Sequence, residues 1–181
     1  FTLQVDSKTV GSDYSFGIGS ASNIFRTNIV TTRSGAEVDR FQNANVLLPQ
    51  IHKGKNPSEW FKSVGALAGY GALNAADLSR VTGTAYQYVI PLSHFAGIFT
   101  SKQLMPSQLS SGMRLDCQLE SALTAITTAD TEVKYSITNP KLVLDVSILS
   151  DGALAQLTQQ AGKNGLEYSF STYANESSTT T

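Results

Sequence analysis

Residues 112–121 read GMRLDCQLES, and their alternation decides the fold class. Leu115, Cys117 and Leu119 fall on one side of an extended chain, and Arg114, Asp116, Gln118 and Glu120 on the other. A period of two with one apolar face is the pattern of a half-covered β-strand. The spacing therefore predicts a strand over 113–120 with Leu115, Cys117 and Leu119 buried. A one-residue slip would expose all three.

The same pattern recurs on both sides. TLQVD (2–6) alternates, and NIFRTNIVTT (23–32) is rich in β-branched residues. Ser34-Gly35 separates the latter from AEVDRF (36–41), a hairpin signal. TAYQYVIPL (84–92) places Tyr86, Tyr88 and Ile90 on one face, and Pro91 ends the ladder or puts it at an edge. VKYSI (133–137) and KLVLDVSIL (141–149) follow, punctuated by Asn139-Pro140; the second aligns Leu142, Leu144, Val146 and Ile148.

Two segments break the β period. NPSEWFKSVGALAGYGAL (56–73) offers Asn56 as N-cap, Pro57 at the first helical position and Glu59 as partner in a capping box. Trp60, Val64 and Leu67 then follow at helical spacing, with Trp60 and Val64 expected against the sheet or a neighbour, while Gly65, Gly69 and Gly71 end the helix near residue 70. DGALAQLTQQAGKNG (151–165) reads as a short helix with Leu154, Leu157 and Ala161 on one stripe and Gly162 or Gly165 at its end. The expected fold is all-β: a jelly-roll β-sandwich over 1–162 with one or two short inserted helices, about 57–70 and about 152–161. Residues 163–181 are expected to form a C-terminal linker or tail, with Tyr168, Phe170 and Tyr173 docking on a second domain or a neighbouring subunit.

Composition narrows the function. Charged residues make up 15% of the 181 and the net charge is −1, against roughly 25% charged in an average soluble domain. A neutral, hydroxyl-rich surface suits burial against other subunits. Without a Lys/Arg cluster, direct nucleic-acid binding is not expected. No run of about 18 apolar residues exists, so no membrane span is expected. The single cysteine, Cys117, cannot form an internal disulfide. No charged-then-apolar leader follows Phe1, so no signal peptide is expected.

Candidate chemistry fails position by position. GIGSAS (17–22) lacks the third glycine of a dinucleotide loop and reads as a flexible loop. HKGKNPS (52–58) has Asn56 where a phosphate loop needs Ser or Thr. His52, His94 and Cys117 are scattered, so no metal site is expected. Asp116 and Glu120 share a strand face beside Arg114, an ion-pairing arrangement rather than an acid–base pair. Ser93-His94, inside PLSHFAGIF (91–99), would point to opposite faces of an extended chain and cannot form a nucleophile–base pair there. Asn175-Glu176-Ser177 matches a glycosylation acceptor, with occupancy not expected. No catalytic residue, cofactor or metal ligand is assigned.

The order of segments carries further information. A strand pair about Ser34-Gly35 comes first. A strand ending in Pro91-Leu92 follows, then Leu104-Met105-Pro106, the strand from Arg114 to Glu120, a Tyr-x-Ile-x-Asn-Pro stretch at 135–140, and Gly165-Leu166-Glu167-Tyr168. This series resembles the major capsid protein of tailless icosahedral eukaryotic DNA viruses, the double-jelly-roll lineage of virophages and polinton-like viruses. The resemblance spans most of the chain from about residue 23. It implies a structural subunit, no catalysis, self-association as a homotrimer in a capsid lattice with other capsid proteins, and location in the virion. The family protein carries two jelly rolls and 181 residues hold one, so the resemblance implies the first jelly roll or a single-jelly-roll relative. A glycan-binding β-sandwich, such as a lectin or spike head, is the alternative reading. A hydrolase using Ser93 or His94 is a third.

Overall fold

A computed structural model describes residues 1–17, 19–70, 80–101 and 103–173. Among these described residues the strands are β1 (Thr2–Ser7), β2 (Asp13–Phe16), β3 (Phe25–Thr31), β4 (Glu37–Phe41), β5 (Arg80–Val81), β6 (Ala85–Gln87), β7 (Arg114–Leu119), β8 (Ile126–Thr128) and β9 (Val133–Thr138). They form three antiparallel sheets of three strands, ordered β6-β1-β9, β5-β2-β8 and β4-β3-β7. The centre strand of each sheet comes from the first 31 residues, and its flanks come from farther along.

The main core lies between the first two sheets. Leu3, Val5 and Val133 from one meet Tyr14, Phe16 and Ile126 from the other, joined by Ala21, Ile24, Tyr88 and Ala125. Edge-on aromatic contacts, Phe16 to Tyr88 at 5.6 Å and Tyr14 to Phe16 at 6.1 Å, fill the layer. Two antiparallel sheets sharing one apolar layer are compatible with a β-sandwich. The third sheet has its own cluster, Val30 with Ala96 and Ile98.

The hairpin between β3 and β4 turns where the sequence placed it. Gly35 adopts φ 85°, which glycine reaches without steric cost, and Thr32 and Ala36 close the loop through a 2.8 Å backbone bond. The strand expected over 113–120 is β7, paired with β3 along Ile29↔Asp116 and Val30↔Leu115. Its burial is less than expected. Leu115 and Cys117 are only half-buried, and Leu119 is 50% exposed. The reason is position: β7 is an edge strand whose apolar face is covered only in part.

Helices are more numerous than the one or two expected. α1 (Ala44–Lys55) precedes the expected insert and contains Pro49, which removes one hydrogen bond from the helix interior. Its buried residues Ala44, Asn45, Leu48 and Pro49 nevertheless recur at helical spacing. The insert is two short helices, α2 (Ser58–Lys62) and α3 (Val64–Leu67), broken at Ser63. Asn56 does not cap it. Asn56 ends α1 instead, its amide donating to the His52 carbonyl at 2.9 Å, and Pro57 takes the cap position of α2. Phe61 is the residue that α2 buries, while Val64 stands 41% exposed rather than against a sheet. Two further single turns are α4 (Ser107–Ser110) and α5 (Ala122–Ala125). GIGSAS is no flexible loop where it is described. Ser20 and Ser22 are buried and bonded to each other at 2.8 Å, and Ser20 also donates to the Ala68 carbonyl.

The last expected strand is the largest correction. After β9, Asn139 at φ 50° and Pro140 turn the chain away from the sheets. Residues 141–149 form no ladder and no hydrogen bond with any other described residue. α6 (Asp151–Asn164) then forms as expected. Ser150 accepts from the Ala153 amide, and Gly165, at φ 72°, follows its last turn; yet none of its residues is buried.

Candidate functional site

PLSHFAGIF folds into two 3-10 turns, Leu92–His94 and Gly97–Thr100, rather than an extended chain. His94 is 2% exposed. Its ring stacks on that of His52, from the last turn of α1, with centroids 3.6 Å apart and planes 25° from parallel. Trp60 lies 6.0 Å from both rings and Tyr70 meets His94 edge-on at 6.1 Å. Thus α1, α2 and the connector share one aromatic cluster. The sequence kept these histidines apart because 41 intervening residues hide a contact that only the folded chain makes.

Both imidazoles are held neutral. Burial, with the nearby Lys55 charge as the smaller cause, pulls His52 down to about 4. Burial, with His52 as the smaller cause, pulls His94 down to about 3. His94 Nδ1 has no hydrogen-bond partner among the described residues, so none of their carboxylates orients the ring through that atom. Ser93 makes no hydrogen bond to it there either. Among the described residues, no three His, Cys, Asp or Glu side chains gather as a metal site would need. Cys117 is a thiol pushed up to about 11 by burial and by Asp116, the opposite of a reactive cysteine. Asp116 pairs with Arg114 at 2.7 Å, and Glu120 lies 3.9 Å from Arg26. The two carboxylates thus have separate ionic partners. Asn175 lies outside the described residues.

The chain's C-terminal part holds the more distinctive surface. Along 141–149, Leu142 is 65% exposed, Val143 84%, Leu144 58%, Val146 82% and Ile148 97%. α6 continues the excursion: Leu154 is 43% exposed, while Leu157 and Ala161 on the same stripe are half-buried. Residues 141–164 therefore form an arm, an irregular first half followed by an amphipathic helix; Leu142, Leu144, Val146 and Ile148 are exposed, while Leu149, Leu157 and Ala161 are half-covered.

The segment after the arm returns. Tyr168, Phe170 and Tyr173 were expected on a neighbour and instead dock on this chain's own body. Phe170 packs on the Val30–Ala96–Ile98 cluster. Tyr173 packs on Phe41 at 5.9 Å and accepts a 2.7 Å hydrogen bond from Lys55. Tyr168 donates to the Leu104 carbonyl at 3.1 Å. The buried carboxylate of Asp39 ties the return in place, accepting from the Gly97 amide at 2.6 Å through one oxygen and from the Thr172 hydroxyl through the other. Gly97 is needed there, because a Cβ would collide with the Ser171 carbonyl. The alternating aromatics of LEYSFSTY hinted at a docking strand, but only the buried acceptor Asp39, 133 residues before Thr172, shows where it docks.

Among the described residues, no helix is long and apolar enough to cross a membrane. The chain matches no family model, and neither the curated proteins nor the solved structures include one similar to it.

Proposed function

We propose that this chain is a structural shell unit: a jelly-roll β-sandwich of a viral icosahedral capsid, which self-associates, most simply as a homotrimer, and catalyses nothing. The observation that carries the reading is the arm at 141–164. Its alternating apolar residues are dressed for a sheet or a core, yet they stand in solvent. Large contiguous apolar surface on a folded chain marks an interaction site. The low charge content and the ordered series of motifs resembling double-jelly-roll capsid proteins support the same reading. The glycan-binding alternative finds less support, since it calls for aromatic side chains presented on loops. Tyr14, Tyr70 and Tyr88 are buried, and Trp60 is packed into the histidine cluster.

In the virion, such a unit needs a rigid body and a complementary contact to its neighbours. The two-sheet core and the Asp39 tether supply the first; the arm supplies the second. Analytical ultracentrifugation of the intact chain, followed by electron microscopy, tests the proposal. The expected outcome is a discrete oligomer, with a trimer as the first closed species. A stable monomer at micromolar concentration overturns it.

A further inference from the structure

We infer that residues 141–149 add as an antiparallel strand to the open edge of β7 in a second copy of this chain. The inference rests on the self-association reading above and names its contact. Four observations converge on it.

First, residues 141–149 carry the alternation of a strand but have no sheet. The even-numbered residues from Leu142 to Ile148 form one apolar row, and the backbone amides and carbonyls of the segment bond to no other described residue. An extended segment of this kind is completed by strand addition, which satisfies the backbone and the apolar row together.

Second, β7 is a sheet edge without a strand. Among the described residues it pairs only with β3, and its apolar row is unfinished: Leu115 and Cys117 are half-covered and Leu119 is 50% exposed. An open edge carrying apolar side chains invites pairing with another chain.

Third, the two rows fit in register. Residues opposite each other point to the same face, so apolar must meet apolar, and this fixes the parity of the pairing. With Leu142 opposite Cys117, Leu144 falls opposite Leu115 and Val146 opposite Met113, while Asp145 meets Arg114 on the other face. A shift of two that puts Leu142 opposite Leu119 sets Asp145 against Asp116, and like charges directly opposite are destabilising.

Fourth, the row is large. At their observed exposures, Leu142, Leu144, Val146 and Ile148 present roughly 500 Å² on one face, more than half of what one partner contributes to a standard interface. The contact is heterologous: each copy gives an arm and receives one, so copies propagate until a ring closes.

The native cysteine provides the test. Leu142→Cys in the full chain is oxidised with diamide, and the products are resolved on a non-reducing gel and by peptide mass spectrometry. The exposed new thiol adds to the N=N bond of diamide, and Cys117, held opposite it, displaces the hydrazine to form the disulfide, so the two electrons pass to diamide. The expected product is a ladder of covalent oligomers ending at the ring size, linked between the new thiol and Cys117 and abolished by adding Cys117→Ser. Val146→Lys should weaken association at least tenfold in sedimentation while leaving the far-ultraviolet circular dichroism unchanged, because Val146 is 82% exposed. Links that survive Cys117→Ser would mean that arms pair with arms, and overturn the inference. A link between the two thiols within one chain would overturn it as well, as would a sedimenting oligomer that forms no link. In these three cases the shell reading survives whenever the parent chain still sediments as an oligomer. A parent chain that is monomeric throughout overturns both.

Discussion

β1 and the arm strand are nearly the same sentence written twice. TLQVDS alternates Leu3 and Val5 with polar residues, and KLVLDVSIL alternates Leu142, Leu144, Val146 and Ile148. β1 sits in the middle of its sheet, paired with β6 on one side and β9 on the other, and Leu3 and Val5 are 0% exposed. The arm strand carries the stronger apolar row and is bare. Alternation thus specifies a chain with two unlike faces; it does not specify what covers the apolar one. In β1 the cover comes from the second sheet. The row from Leu142 to Ile148 has no such cover among the described residues.

Truncation should separate the two regions most sharply. Leu3→Ala removes a fully buried side chain from the shared core and should cost about 2–5 kcal/mol in urea unfolding. If it costs no more than the same change in the arm, the two-sheet layer is not the stabilising core.

The histidine cluster probes a third environment, one that is polar and covered. His52 and His94 have folded values near 4 and 3, below the ordinary value of 6.5. The unfolded chain therefore binds more protons between these limits, and stability rises with pH across that window. Both rings are neutral above about pH 7, where stability is complete. It should fall as the pH drops from about 6.5 toward 3–4, by several kcal/mol if both rings stay buried. His94→Phe should flatten this slope in unfolding midpoints measured from pH 7 to pH 4. An unchanged slope would mean that the stacked pair opens without cost.

Asp39 tests why the tail has a partner when the arm has none. Asp39→Ala removes the acceptor shared by Gly97 and Thr172, and should cost about 1–3 kcal/mol. Limited proteolysis should then cut within 165–173 sooner than in the parent. Equal cleavage would show that Phe170 and Tyr173 hold the segment by themselves.

The smallest effect is expected in the arm. Leu144→Ala should change the unfolding free energy of the dilute, unassociated chain by less than about 0.5 kcal/mol, as exposed substitutions do. A large loss would show that the arm strand packs on its own body in solution.

What was legible in the sequence was local. Ser34-Gly35 announced its turn because few residues tolerate φ 85°. Arg114–Leu119 announced a strand by strict alternation, and of the two candidate C-caps Gly162 and Gly165 it is Gly165 that closes α6, while its N-cap Ser150 is seen only in the structure. α1 was masked by Pro49 and Gly54, although Ala44, Asn45, Leu48 and Pro49 carried the helical period. Asn56 was read as opening one helix and in fact closes another, because capping residues look alike from either side until the helices are placed.

Turn chemistry, caps and periods depend on a few neighbouring residues, so the amino-acid order determined them alone. Partners are another matter. That His52 stacks on His94, that Asp39 holds Thr172, and that β7 lies at an edge with Leu119 uncovered were decided by tertiary structure. Each depends on segments tens of residues apart meeting in space, and the free energy of such a contact comes from the surface that the two exclude from water together. No single segment encodes that shared surface. KLVLDVSIL therefore reads as a strand in the sequence and stands without a sheet in the fold.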